Sequence, residues 1–184
     1  MKSFLLYLFT VLLLLGCASV NPMNGRELQL GTPGETSLWK LTIGTGDRIR
    51  YTGLLALASE AEWMTAILLD GTGIKLIEER IYLDGIVETL FALPAVRQQG
   101  LPSYLGQGLF KLFMEWRSPV VGFHLTHFCL ASSEAGLLTK TKKIGPFRLW
   151  TAVYVFKNPD GAGEPVKATL DLLWPVPDLN LTRL

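Results

Sequence analysis

The chain is short of the residues from which catalytic and metal sites are usually built. It has two cysteines and two histidines among 184 residues. It contains no nucleophile elbow, no phosphate-binding glycine loop and no paired Cys-x-x-Cys units. The carboxylates of Glu78-Glu79-Arg80 read as a solvated strand edge, and Glu60 and Glu62 lie beside a turn. The sequence therefore names no reaction, and we expect a protein that is not an enzyme and uses no cofactor.

The two histidines are the one pair that merits a metal-site test. In the segment His124-Leu125-Thr126-His127-Phe128-Cys129 they are three residues apart. That spacing would share a helix face, but the apolar residues before His124 favour a strand. An odd spacing on a strand places the two rings on opposite faces. We therefore expect no metal site, and we expect Cys129 to be a buried thiol.

Charge is also scarce and balanced. Charged residues make up 18% of the chain, with 17 basic and 16 acidic side chains. This balance gives no indication of the basic surface that nucleic-acid-binding proteins use. Hydrophobic residues reach 49%, so a water-soluble domain needs somewhere to place an apolar surplus.

The first residues have the features of a secretory signal. Lys2 precedes an apolar run from Phe4 to Leu15 that only Thr10 interrupts. As a helix this run would be roughly 18 Å long, well short of a ~30 Å hydrocarbon core. Such a segment is typical of a signal peptide and not of a membrane span.

The end of this run, Leu14-Leu15-Gly16-Cys17, resembles the bacterial lipobox. The resemblance implies cleavage before Cys17 and acylation of its thiol and new amino group, which would anchor the chain to a membrane. With Ala18-Ser19 after the cysteine, enterobacterial sorting rules imply the periplasmic face of the outer membrane, provided that the host is Gram-negative. An ordinary secretory signal that ends in cysteine is the alternative. We expect residues 1–16 to be removed, residues 17–36 to form a polar tether and residues 37–184 to form one domain.

Beyond residue 36 the chain alternates between apolar and polar residues in short runs that end in turn signals. Asp70-Gly71, Asp84-Gly85 and Asn158-Pro159-Asp160-Gly161 separate β-rich runs, which favours hairpins. Because strand twist accumulates along sequential antiparallel strands, we expect a mainly β, curved half-barrel. The predicted strands, roughly nine, are residues 39–43, 48–57, 63–69, 74–83, 86–93, 120–131, 137–143, 147–157 and 166–172.

One segment changes to helical spacing. An amphipathic helix of about 14 residues is predicted from Ser103, which could cap it, to Trp116, with Pro119 beyond its end. Gly106 and Gly108 lower its intrinsic stability. We expect this helix to cover the concave face of the sheet. Its apolar stripe contains Leu105, Leu109, Leu112, Phe113 and Trp116.

This arrangement resembles the LolA/LolB fold of periplasmic lipoprotein carriers. It most resembles the LolB-like outer-membrane lipoproteins of unknown function that are associated with aryl-polyene biosynthesis. The likeness covers most of residues 37–173. The chain departs from the LolB-like pattern at residues 21–37, which are too polar for the amphipathic helix with which LolB-like receptors usually begin. The residues that carry it are Tyr51-Thr52-Gly53-Leu54-Leu55, Leu68-Leu69-Asp70-Gly71-Thr72-Gly73-Ile74-Lys75-Leu76, Gly145-Pro146-Phe147-Arg148-Leu149 and Val153-Tyr154.

The apolar surplus and the resemblance lead to one functional expectation. We expect a lipoprotein that binds or transfers an acyl or polyene lipid cargo, with a periplasmic carrier protein as a possible partner. A filled dry core is the alternative for the cavity. A structural lipoprotein that binds an envelope protein through a sheet edge is the alternative for the function, and a lipid-acting enzyme comes third. The predicted cavity residues are Tyr51, Leu55, Trp63, Ile67, Leu105, Leu109, Phe113 and Trp116.

Overall fold

A computed structural model of the protein describes residues 34–115, 127–134, 136–144, 146–158, 163–173 and 176–184. The predicted signal peptide, Cys17, nearly all of the predicted tether, Trp116 and His124 lie outside these ranges. Among the described residues, no helix is both long enough and apolar enough to span a bilayer.

The architecture is one curved, unclosed antiparallel sheet, as the sequence predicted. The described strands number ten and stand in the order β5-β4-β3-β2-β1-β10-β9-β8-β7-β6. They are β1 (Thr36–Thr45), β2 (Arg48–Ser59), β3 (Trp63–Leu69), β4 (Lys75–Tyr82), β5 (Val87–Ala92), β6 (His127–Glu134), β7 (Leu137–Ile144), β8 (Phe147–Phe156), β9 (Pro165–Leu172) and β10 (Asp178–Arg183).

Two of the predicted turns, Asp70-Gly71 and Asp84-Gly85, join neighbouring strands, and residues 159–161 of the third lie outside the described ranges. The Asp70 carboxylate accepts hydrogen bonds from the backbone N–H of Thr72 at 2.8 Å and of Ile74 at 2.9 Å, which closes the β3–β4 loop. Gly73 and Gly85 both have positive φ, at 87° and 88°, which glycine adopts without steric penalty. The local turn chemistry therefore fixes the hairpins that build one half of the sheet.

The strand β10 was not predicted, although it lies at the centre of the sheet. It pairs with β1 through Leu41↔Leu181 and with β9 through Leu170↔Leu179. Leu179 and Leu181 are fully buried. The last strand therefore joins the two meanders, β1–β5 and β6–β9, into one sheet.

Two helices connect β5 to β6 within the described residues, where one was predicted. They are α1 (Pro94–Gln98) and α2 (Leu101–Leu109), and α2 continues into a π-helical turn, Phe110–Met114. Ser103 is not the cap, because α2 begins two residues earlier, after Gly100, which has a φ of 70°. Pro94 begins α1 where its missing N–H leaves no helical hydrogen bond unmade.

The core lies between the concave face of the sheet and α2. Buried residues alternate along β1 to β4, as in Trp39, Leu41 and Ile43 of β1. Gly106 and Gly108 are buried and allow a close approach of α2 to the sheet. A Cβ on Gly106 would lie 2.4 Å from Val87 Cγ1, and one on Gly108 would lie 3.2 Å from Leu179 Cδ1. These glycines serve packing, which offsets their low helix propensity.

Candidate functional site

The predicted cavity residues do not form one set in the structure. Leu55, Leu105, Leu109 and Phe113 do come together, but as members of the buried core, where each is at most 1% exposed. Tyr51 packs against the margin of that core, and its hydroxyl donates to the Leu69 carbonyl at 3.4 Å. The side chains of Leu105, Leu109 and Phe113 therefore fill the space in which the sequence predicted an open cavity.

The prediction that Trp63 and Ile67 face the same side as Leu55 is wrong. Leu55 pairs with Leu68, and directly opposite residues of neighbouring strands share a face. Ile67 and Trp63 therefore point away from the core, since side chains alternate along a strand. Trp63 packs there against Tyr82, with ring centroids 6.3 Å apart, and the Arg80 guanidinium lies 5.2 Å from its centroid.

An open groove lies beside α2, on the flank turned towards β8 and β9. Its volume is about 520 Å³, within the range of ligand sites for small molecules. Its floor is mainly apolar and its helix wall is polar, with two lysines among the lining residues. The lining residues are Ser103, Tyr104, Gln107, Gly108, Lys111, Lys142, Leu149, Trp150, Leu172, Leu173 and Val176.

A β-bulge shapes the floor of this groove. The register between β7 and β8 runs from Lys142↔Trp150 to Lys143↔Arg148, so Leu149 has no residue opposite it on β7. A bulge places an extra residue in one strand and redirects its side chain. Leu149 and Trp150 consequently both line the groove, although they are adjacent in the strand.

Two tyrosines fix the helical segment against the sheet. The Tyr104 hydroxyl donates to the Pro177 carbonyl at 2.7 Å, which ties α2 to the β9–β10 loop. The Tyr154 hydroxyl donates to the Leu112 carbonyl in the π-helical turn. Burial raises the pKa of both phenols, so both remain protonated donors. The groove wall is therefore held from two sides.

The two groove lysines differ in their environments. Lys142 forms an ion pair with Glu115 at the end of the π-helical turn. Burial lowers the pKa of Lys111, which Glu115 partly opposes and Lys142 reinforces. Lys111 forms no ion pair among the described residues. The groove thus has an apolar floor beside a half-buried cation, which suits an amphiphile with an anionic end.

An unusual carboxylate lies on the core side of α2. Glu79 is fully buried on β4, and its Oε1 accepts from the Thr89 hydroxyl at 3.2 Å. Its Oε2 has no hydrogen-bond partner within the described part of the chain. Burial raises its pKa to about 7. The prediction of a solvated edge at Glu78-Glu79-Arg80 is therefore wrong, since β4 pairs on both sides with β3 and β5.

The sequence reasoning missed most of the groove. Only two features of the sequence pointed to its lining residues. They are the polar flank of the predicted helix and the strand β8, which is apolar on both faces. The groove depends on the β-bulge at Leu149 and on the β9–β10 loop, which are separated from α2 by tens of residues. The described residues contain no group of three or more side chains able to hold a metal ion.

Comparison with known proteins leaves the family open. No family model matches the chain, and a search of curated proteins finds no significant match.

Proposed function

We propose that this protein is a lipid-anchored lipoprotein at the periplasmic face of the outer membrane, and that it binds the apolar chain of an amphiphilic lipid for transfer. The groove along α2 is the observation that supports binding. The lipobox-like Cys17 supports the anchor. The resemblance of the sequence to lipoprotein carriers supports transfer, with a periplasmic carrier protein as donor or acceptor.

The groove chemistry favours one class of ligand. An acyl or polyene chain on the floor formed by Leu149, Leu172 and Val176 would be held by apolar burial, at about 0.8 kcal/mol per methylene. A carboxylate or phosphate at its polar end would lie beside Lys111. An anion there would restore the charged form that burial of Lys111 disfavours. We therefore assign the site to amphiphiles with an anionic end.

Ligand binding is tested with the full chain purified from membranes in detergent. A fluorescent fatty acid is titrated against the protein, and a fatty amine of the same chain length is the charge control. Gln107→Trp places a large side chain in the groove, whereas Gln98→Trp, at the exposed end of α1, is the matched control. We expect Gln107→Trp to weaken fatty-acid binding at least tenfold, by about 1.4 kcal/mol.

Three results would contradict the groove assignment. They are an absence of saturable uptake, equal uptake of acid and amine, and an equal effect of the two tryptophan variants. Native mass spectrometry of the same preparation adds an independent readout, because a bound lipid from the membrane adds its own mass.

The anchor is tested separately. The intact mass of the mature chain should equal residues 17–184 plus a diacylglycerol group and an amide-linked acyl chain. Cys17→Ser should lose these additions. A wild-type chain that begins at another residue or lacks acyl mass would contradict the anchor without affecting the groove.

A specific observation supports a second candidate function, docking of an envelope protein on a sheet edge. The strand β5 ends the sheet order, and Leu90 and Phe91 are exposed there. An exposed strand edge can pair with another chain. The test is a photocrosslinker in cells at Phe91, with Val166 as the matched control because the two are 36% and 37% exposed. A stable adduct at Phe91 alone would favour this function, and its absence would exclude it.

A further inference from the structure

Six exposed apolar side chains lie at one end of the sheet. The strand register places the β1–β2 turn, the β3–β4 loop, the β7–β8 hairpin and the β9–β10 loop at the same end. We call this end the loop rim. Its exposed apolar residues are Ile49, Ile74, Ile144, Phe147, Leu173 and Val176. The opposite end also exposes apolar side chains, among them Ile86 and Leu137.

The groove opens at this loop rim. Leu173 and Val176 belong both to the rim and to the groove lining, and Leu149 lies two residues from Phe147. Phe147 is 72% exposed at the tip of the β7–β8 hairpin. The mouth of the groove therefore lies among exposed apolar side chains.

The charges divide between the two ends. The rim carries Arg48, Arg50, Lys75, Lys143 and Arg148. The opposite end carries six carboxylates in and beside its turns, and its basic residues include Arg80 and Arg183, which form ion pairs there, and Lys157. Those carboxylates belong to Glu60, Glu62, Asp84, Glu88, Glu134 and Glu164.

Acidic residues also occur at the rim, but most are engaged locally. Asp70 is bound within its own loop, Asp171 pairs with Arg148 at 3.0 Å and Glu78 pairs with Lys75 at 2.7 Å. Asp47 and Asp178 remain. Arg48, Arg50 and Lys143 form no ion pair among the described residues. The rim therefore offers three unpaired cations to a partner, whereas at the opposite end the carboxylates outnumber the basic residues.

We propose that the loop rim docks on the surface of an anionic lipid bilayer, with Phe147, Leu173 and Val176 inserted beside the mouth of the groove. The apolar residues belong to four separate turns and loops, an arrangement that suits a fluid surface better than a protein face. Basic residues near an anionic leaflet each contribute about 1 kcal/mol. The groove then opens directly into the membrane interface. The docking concerns the rim alone and goes beyond the binding function proposed above.

The proposed lipid anchor does not by itself produce this orientation. The strand β1 begins at the acidic end, since Thr36 pairs with Ala58 beside the β2–β3 turn. An anchor on Cys17 would thus bring the acidic end towards the membrane first. The 19 residues from Cys17 to Glu35 have a contour length of roughly 60 Å, which exceeds the roughly 33 Å length of a ten-residue strand. The chain is long enough for the domain to turn over.

The orientation is tested by site-specific photocrosslinking of the full chain in vesicles. A benzophenone amino acid replaces Phe147 at the rim or, as the matched control, Ile86 in the β4–β5 turn at the acidic end, which is 61% exposed. The vesicles contain phosphatidylcholine with phosphatidylglycerol, or phosphatidylcholine alone. We expect lipid adducts at position 147 at least about tenfold above those at position 86 in the anionic vesicles, and fewer in the neutral ones.

Charge variants measure the electrostatic part. Lys143→Gln and Arg48→Gln should each lower the ratio of docked to undocked protein about fivefold, the factor that corresponds to about 1 kcal/mol. Lys157→Gln, at the acidic end, is the matched control and should leave the ratio unchanged. Equal effects of all three substitutions would overturn the proposal.

The remaining outcomes are equally decisive. Adducts that favour position 86 would show that the anchor alone sets the orientation. Adducts at 147 to a second copy of the chain would assign the rim to self-association. Equal yields in neutral and anionic vesicles would remove the charge argument. Each of these overturns the proposal. Gln107→Trp should retain the lipid adducts, so a failed groove assignment is distinguishable from failed docking.

Discussion

Glu79 provides the sharpest test of how α2 packs on the sheet. Its carboxylate is 0% exposed, and a Cβ on Gly106 would lie 3.0 Å from its Oε2. The helix backbone thus passes directly over the carboxylate. Burial raises the pKa of Glu79 from 4.5 to about 7, which the hydrogen bond from Thr89 only partly opposes. Charging Glu79 should therefore weaken the native state.

The sign and size of the change in the free energy of unfolding with pH follow from proton linkage. Between pH 4.5 and 7 the folded chain holds a proton on Glu79 that the unfolded chain releases. The free energy of unfolding therefore falls as pH rises through this interval and levels off above it. A shift of this size corresponds to about 3 kcal/mol. Below pH 4.5 both states are protonated, and this contribution no longer changes.

The variant Glu79→Gln should remove this dependence. Glutamine is neutral and nearly isosteric, so above pH 7 the variant should exceed the wild type in free energy of unfolding by about 3 kcal/mol. Near pH 4.5 the two should be nearly equal. Urea unfolding of the full chain across this pH range measures the difference. Other titrating groups, such as Asp178, are common to both chains and cancel.

Glu78→Gln is the matched control, because Glu78 is a neighbour that pairs at the surface with Lys75. An exposed pair of this kind contributes at most about 1 kcal/mol, so Glu78→Gln should keep the wild-type slope. If Glu79→Gln also kept that slope, or if the wild type showed none, the assignment of a buried, charge-sensitive carboxylate under α2 would be refuted.

Three further predictions concern the same helix, each measured by urea unfolding. Gly106→Ala should destabilise the fold by about 1–3 kcal/mol, because its Cβ would lie 2.4 Å from Val87; an unchanged midpoint would contradict the close approach. Leu109→Ala should lower stability by about 2–5 kcal/mol through an internal cavity. The exposed control Leu173→Ala should change the free energy of unfolding by no more than about 0.5 kcal/mol. Equal losses in the two variants would contradict the burial of Leu109 in the core. Tyr104→Phe should lower the free energy of unfolding by about 1 kcal/mol, because it removes the hydrogen bond to the β9–β10 loop. An unchanged stability would show that this hydrogen bond does not stabilise the fold.

The hairpins were predictable from the sequence because their determinants are local. An Asp-Gly turn between two β-rich runs fixes both the turn and the strand direction. The fold class follows, since sequential antiparallel strands twist into a curved sheet. The strand β10 escaped prediction because it is short, follows a proline-rich stretch and gains its stability from pairing with β1, more than a hundred residues earlier.

The face of the sheet on which each side chain lies was harder to predict where both faces of a strand are apolar. In β3 the residues Trp63, Thr65 and Ile67 alternate with Met64, Ala66 and Leu68, so hydrophobicity alone does not distinguish the two sets. Pairing with β2 decides it. Glu79 presents the converse difficulty, because a charged triplet reads as solvated until tertiary contacts bury its middle residue.

The helical connection also explains why the sheet stays open. The strands β5 and β6 follow each other in the chain and stand at opposite ends of the sheet order. A direct hairpin between them would complete a barrel. Instead, α2 packs on the concave face, where Gly106 approaches β5 and Gly108 approaches β10. The interior that closure would enclose is occupied by Leu105, Leu109 and Phe113.

One prediction links this core to the groove. Because α2 contributes one flank to the core and the other to the groove, a ligand in the groove binds only while α2 is docked. At a hundredfold excess over its dissociation constant, a fatty acid should then raise the free energy of unfolding by about 2.7 kcal/mol. Gln107→Trp should abolish this gain, and Gln98→Trp should keep it. Stabilisation that survives Gln107→Trp would mean that the ligand binds elsewhere, because a site built on α2 transmits its binding energy through the same helix that covers the core.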